Sequence, residues 1–70
     1  MELGRVNKET LKKVRDYAFS NGKIRIGQIQ REFSLSFIKA RDIFNCLVDE
    51  GIGETNKEGI LIVHYAQRTN

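Results

Sequence analysis

Proline and tryptophan are absent from this chain, and cysteine and histidine occur once each. A single cysteine, Cys46, excludes an intrachain disulfide framework. A lone free thiol suits a reducing compartment. Cys46 and His64 together cannot supply the roughly four ligands of a zinc site, so no metal and no cofactor is expected. No apolar run approaches the roughly 20 residues that span a bilayer. The first five residues, Met1-Glu2-Leu3-Gly4-Arg5, lack the apolar core of a signal segment. The expectation is therefore a cytoplasmic protein without a membrane partner. Paired carboxylates with a supporting pocket are also missing, and a chain of this size leaves little room for a small-molecule substrate. A binding protein is expected rather than an enzyme.

What the chain does have is charge, and it is unevenly spread. The 70 residues carry a net +3, with a calculated pI near 9.3. Residues 1–41 hold ten Lys/Arg and four Asp/Glu, a net +6, whereas residues 42–70 hold two and five, a net −3. A chain polarised in this way can turn a basic face toward phosphates while the remainder stays acidic. The length fits one small domain, 1–70, with its core over about 8–64 and a loose polar end at 65–70. Its core can be only marginally sufficient.

Apolar periodicity predicts three helices. The first runs from about Lys8 to Ser20, with Asn7 as N-cap. Leu11, Val14, Tyr17 and Ala18 form its apolar stripe, while Lys8, Lys12, Lys13, Arg15 and Asp16 lie off it. Asn21-Gly22 tolerates the left-handed conformation that ends a helix. Lys23-Ile24-Arg25-Ile26 alternates polar and apolar, as a very short strand or an extended linker does. A second helix covers about Gly27 to Phe33, with Ile29 and Phe33 inward. Ser34-Leu35-Ser36 makes a tight turn, and Ser36 caps a third helix that reaches about Glu50. Phe37, Ala40, Ile43, Phe44 and Leu47 are its expected core face, with Cys46 roughly opposite. A hairpin follows: Ile52 to Thr55, a turn at Asn56-Lys57-Glu58-Gly59, and the β-branched strand Ile60 to His64. The fold class is therefore mainly α with a small antiparallel β-hairpin. It is a winged helix-turn-helix of three helices and a two-stranded wing, with the third helix presented outward.

The stretch from Ile26 to Ile52 carries a more particular pattern. Ile26, Ile29, Gln30, Arg31, Phe33, Leu35, Phe37, Lys39, Ala40, Leu47, Gly51 and Ile52 occupy the places of a motif. In that motif an I-x-x-L-Q-R-x-F helix precedes a G-Y-N-R-A helix ending in G-I or G-V. The chain resembles the winged-helix gamma domain of FtsK-type DNA translocases over roughly residues 8–63. The resemblance implies a three-helix winged fold that reads double-stranded DNA with its third helix. These residues hold no phosphate-binding Gly-rich loop, so a motor is not expected. A small DNA-binding regulator of transcription, or of a mobile element, fits better. Three positions depart from the pattern. The family's asparagine is Ile38, which offers a base edge only apolar contact, for example with a thymine methyl. Its arginine is Lys39, which keeps the charge and loses the bidentate fork. Its second arginine falls at Asp42. The family's G-rich target is therefore not carried over.

With the third helix in a major groove, Ser36, Ile38, Lys39 and Asp42 reach the bases, with Asn45 farther along and Arg41 approaching from another angle. Gln28 and Arg31 on the second helix, with Lys23 and Arg25 at the same edge, are expected phosphate contacts, and Lys57 at the wing tip is another. A second reading keeps the fold and changes the partner. The Ile38–Asp42 face or the first helix docks another protein, and DNA binding is weak or lost. Two-fold pairing into a homodimer would place two half-sites about one helical turn apart. No dimer surface is identifiable from the sequence.

Overall fold

The computed structural model describes residues 6–64. The elements are α1 (Lys8–Asn21), β1 (Lys23–Ile24), α2 (Ile26–Phe33), α3 (Phe37–Asp49), β2 (Gly53–Thr55) and β3 (Leu61–Val63). This is a winged-helix arrangement, mostly helical, with one small antiparallel sheet. The loose end expected at 65–70 lies outside the described residues.

Local chemistry fixes the helix ends where the sequence predicts them. The Asn7 side chain accepts from the amides of Glu9 and Thr10 at 2.8 and 3.1 Å, satisfying donors that the first turn leaves free. Gly22, at φ +85°, caps α1, and its amide donates to the Ala18 carbonyl. Ser34 takes the left-handed conformation at φ 54° and ends α2. Ser36 then caps α3, its Oγ accepting from the Lys39 amide at 3.3 Å. Two residues lie between α2 and the α3 cap, so the two helices are forced into the close packing of a helix-turn-helix.

The sheet has three strands where two were expected. β1 pairs antiparallel with β3, Lys23 opposite Ile62 and Ile24 opposite Leu61, and β2 pairs with the other edge of β3. The order is β1-β3-β2. The Val63 amide also donates to the Gly22 carbonyl at 2.9 Å. Ile24 has to point into the core, and the two-residue strand gains its stability from that burial rather than from its own length. The turn at 56–59 is closed by Asn56, whose side chain accepts from the Glu58 and Ile60 amides.

Ile24, Ile29, Leu47, Leu61 and Val14 are the largest fully buried side chains. They come from five different elements, so no pair of elements owns the core. β3 alternates cleanly, with Leu61 and Val63 buried and Ile62 exposed, as a strand covering one side of a helical layer must.

Two expectations about α3 are corrected. Phe37 is 52% exposed and is not a core residue. The buried stripe of α3 is Ala40, Ile43, Phe44 and Leu47. At 100° per residue, Phe37 sits roughly 60° from Ala40, just past the Phe44 edge of that stripe. Cys46 is half-buried and packs against the core cluster rather than opposite it. It lies on the flank next to Ile43.

Gly53 opens β2 where a Cβ would run into the Ile62 backbone carbonyl. Gly27, in the first turn of α2, has no atom within 4 Å of an added Cβ. In urea titrations, Gly53→Ala should therefore lower stability by about 1–3 kcal/mol. Gly27→Ala should leave it unchanged or raise it by up to about 1 kcal/mol. Equal effects of the two would contradict the register that sets Gly53 opposite Val63.

Candidate nucleic-acid interface

The predicted site residues divide into three groups in space. Lys23, Arg25, Gln28 and Arg31 converge on one open concavity of about 670 Å³, lined also by Glu32 and Ile60. β1 supplies Lys23, the link before α2 supplies Arg25, and one face of α2 supplies Gln28 and Arg31. Pairing of β1 with β3 fixes where the first two stand. Among the described residues, none of the three cations is paired with a carboxylate. Glu32 is the acidic residue among those that line the concavity.

Gln28 has a structural task as well. Its Nε2 donates to the Tyr17 hydroxyl at 3.2 Å, and Tyr17 meets Phe33 edge-to-face with ring centroids 5.7 Å apart. This trio clamps α2 to α1, so one of the two amide hydrogens of Gln28 is already used.

The second group lies on α3. Ile38, Arg41 and Asn45 are exposed, and Asp42 is half-buried. Residues 38, 42, 45 and 49 recur at three- and four-residue spacing and form the outward stripe. An Arg41 Nη2 lies 3.6 Å from Asp42 Oδ1, so each tempers the other's charge. Lys39 stands on the flank nearer α1, beside a hollow of about 190 Å³ bordered by Asn7, Thr10 and Leu35. The Ser36 hydroxyl oxygen is engaged in capping. The third group is Lys57 alone, at the exposed tip of the wing. Glu54 and Glu58 are its neighbours in the hairpin, which makes the wing net acidic.

One interaction was not foreseeable from the sequence. Arg15 donates through Nε and Nη2 to the two carboxylate oxygens of Glu50, at 2.9 and 3.1 Å. It ties α1 to the end of α3 across 35 positions. The hydrogen bond to Glu50, with the charges of Glu50 and Asp16, raises the Arg15 pKa against a smaller opposing effect of desolvation. No local signal marks such a pair, because periodicity reports faces and not which faces meet.

The two halves of α3 differ electrically. The first two turns carry Lys39, Arg41 and Asp42, a net single positive charge, while the last turn carries Asp49 followed by Glu50. Cys46 sits among carboxylates from both halves. Burial pushes its thiol pKa up, and the carboxylates of Asp49, Glu50 and Asp42 push it further.

No match is found when the chain is compared with protein-family models, with curated proteins or with solved structures. Among the described residues, no group of three or more His, Cys, Asp and Glu is placed to hold a metal ion. Among the same residues, no helix is long and apolar enough to cross a membrane.

The negative surroundings of Cys46 can be checked by alkylation with iodoacetamide across pH. Only the thiolate reacts, so the rate profile of the folded chain should have its midpoint above that of the urea-unfolded chain. A folded-state midpoint at or below the unfolded one would be incompatible with burial beside three carboxylates.

Proposed function

We propose that this chain binds double-stranded DNA, with the first two turns of α3 in the major groove and the Lys23–Arg25–Arg31 concavity against the phosphate backbone. The observation that carries the reading is that concavity: three cations from β1, its link and α2 gather on one side, without carboxylate partners among the described residues. Phosphates drawn to it release counterions, which supplies sequence-independent affinity. Neither α2 nor α3 has an acidic residue in its first turn, so the positive ends of both helix dipoles are left uncancelled. The resemblance to the gamma domain of FtsK-type translocases supports the same face.

The charge of α3 also sets the approach. Asp49 would meet phosphates with like charge, so the helix enters by its N-terminal half. The acidic wing adds little, and Lys57 contributes less than Arg31 or Lys39. A regulator of transcription, or of a mobile element, is the role that suits such a module. A cytoplasmic location accompanies it.

A second reading, docking of a protein partner, has its own support in the exposure of Phe37 and Ile38 beside the acidic Asp42. One experiment separates the two. Fluorescence anisotropy with a pool of random duplexes is titrated with salt, for the wild type and for Arg31→Ala/Lys39→Ala. Under the DNA reading, affinity falls linearly on a log–log plot. The double variant should lose affinity and about one unit of slope, at roughly 0.9 per phosphate contact, for Arg31. Absence of binding at low salt would remove the DNA reading and leave the protein partner. An unchanged slope in the double variant would move the interface to another face.

A further inference from the structure

We infer that the first turn of α3 selects thymine, with Phe37 and Ile38 packing against the C5-methyl groups in the major groove. The inference rests on the DNA-binding reading and adds the base feature that the site selects.

Phe37 and Ile38 are 52% and 56% exposed, the two most exposed large apolar side chains among the described residues. They are adjacent and stand in the turn that enters the groove first. Exposed apolar surface at a conspicuous position marks a contact, and the charges around it indicate which kind. Lys39 and Arg41 follow immediately, Arg31 lies on the neighbouring helix, and Asp42, one turn on from Ile38, has Arg41 3.6 Å away. The net charge of these four is positive, which fits an anionic partner with an apolar feature at its centre.

The polar groups of this turn are partly engaged elsewhere. The Ser36 hydroxyl oxygen accepts from the Lys39 amide. Arg41 lies against Asp42. Lys39 offers a charge without a planar fork. Asn45, about two turns deeper, is the first side-chain amide on the outward stripe. The first two residues of the helix present hydrocarbon. In the major groove the thymine C5-methyl is the one apolar group of the four unmodified bases. Opposite guanine, adenine or cytosine, Phe37 and Ile38 would cover donors or acceptors and leave them unpaired, which costs binding free energy.

The test starts from duplexes selected out of a random pool by the whole chain. Each is remade with deoxyuridine in place of thymine, which removes only the methyl. Wild type and Phe37→Ala/Ile38→Ala are titrated against both forms. Burying a methyl is worth about fourfold in affinity. The wild type should therefore lose about fourfold or more on uracil substitution, and the variant less than about twofold. The difference between those losses is the coupling that isolates the contact from any change in DNA shape. Both residues are exposed, so the variant should keep the helical circular dichroism and melting temperature of the wild type. An equal loss for both proteins, or selected sites without thymine at protected positions, would overturn the inference while DNA binding stands. Failure of the wild type to bind any duplex at low salt would overturn both, leaving Phe37 and Ile38 as a surface for protein.

Discussion

The pairing of Lys23-Ile24 with Leu61-Ile62 is the contact on which the other parts depend. It is only two residues wide, yet it buries Ile24 against Leu61, holds the end of α1 through Gly22 and Val63, and sets the start of α2. Two cations of the concavity are placed by it. Lys23 belongs to the pair itself, and Arg25 is the next exposed residue along. If this short ladder parted, the core would lose Leu61 and Val63 together, and the concavity would lose the wall that defines it. A small domain has few residues with which to make up such a loss.

Much of this architecture was legible in the sequence, because it is encoded locally. Asn7, Gly22, Ser36 and the Asn56–Gly59 turn each act within four residues, and their side-chain chemistry declares them. The apolar stripes of the three helices follow from the 3.6-residue period. The third strand was only half legible: the alternation at 23–26 marked an extended piece without naming its partner. Phe37 misled because type and spacing fit a core position, while the edge of the buried stripe is decided by how the neighbouring helix lies. Arg15 and Glu50 carried no sign of each other at all. For the candidate site, the cluster of Lys23, Arg25, Gln28 and Arg31 was anticipated as one edge, and the structure gathers them around a single concavity. The double duty of Gln28 and the acidic setting of Lys57 emerged only in three dimensions.

The charge imbalance along the chain acquires a spatial meaning in α3. Its net positive beginning and acidic end lie on one rigid rod, so in the proposed reading the same helix would attract a polyanion at one tip and not at the other. Arg15 neutralises Glu50 and fastens the acidic tip to α1, away from the proposed groove. Such a rod has a built-in sense of direction, and its orientation on DNA would not depend on the wing.

The β1–β3 pairing also imposes an order on folding. Its two halves lie on opposite sides of both α2 and α3 in the chain, so closing it early would mean looping out most of the domain at a large entropic cost. Helices that form from local contacts and dock on one another shorten that loop. During synthesis Ile24 would lack its strand partner Leu61 until residues 61–63 had left the ribosome. For that interval the nascent chain displays the very surface that the finished domain hides, which makes it a natural client for chaperones that hold exposed apolar segments.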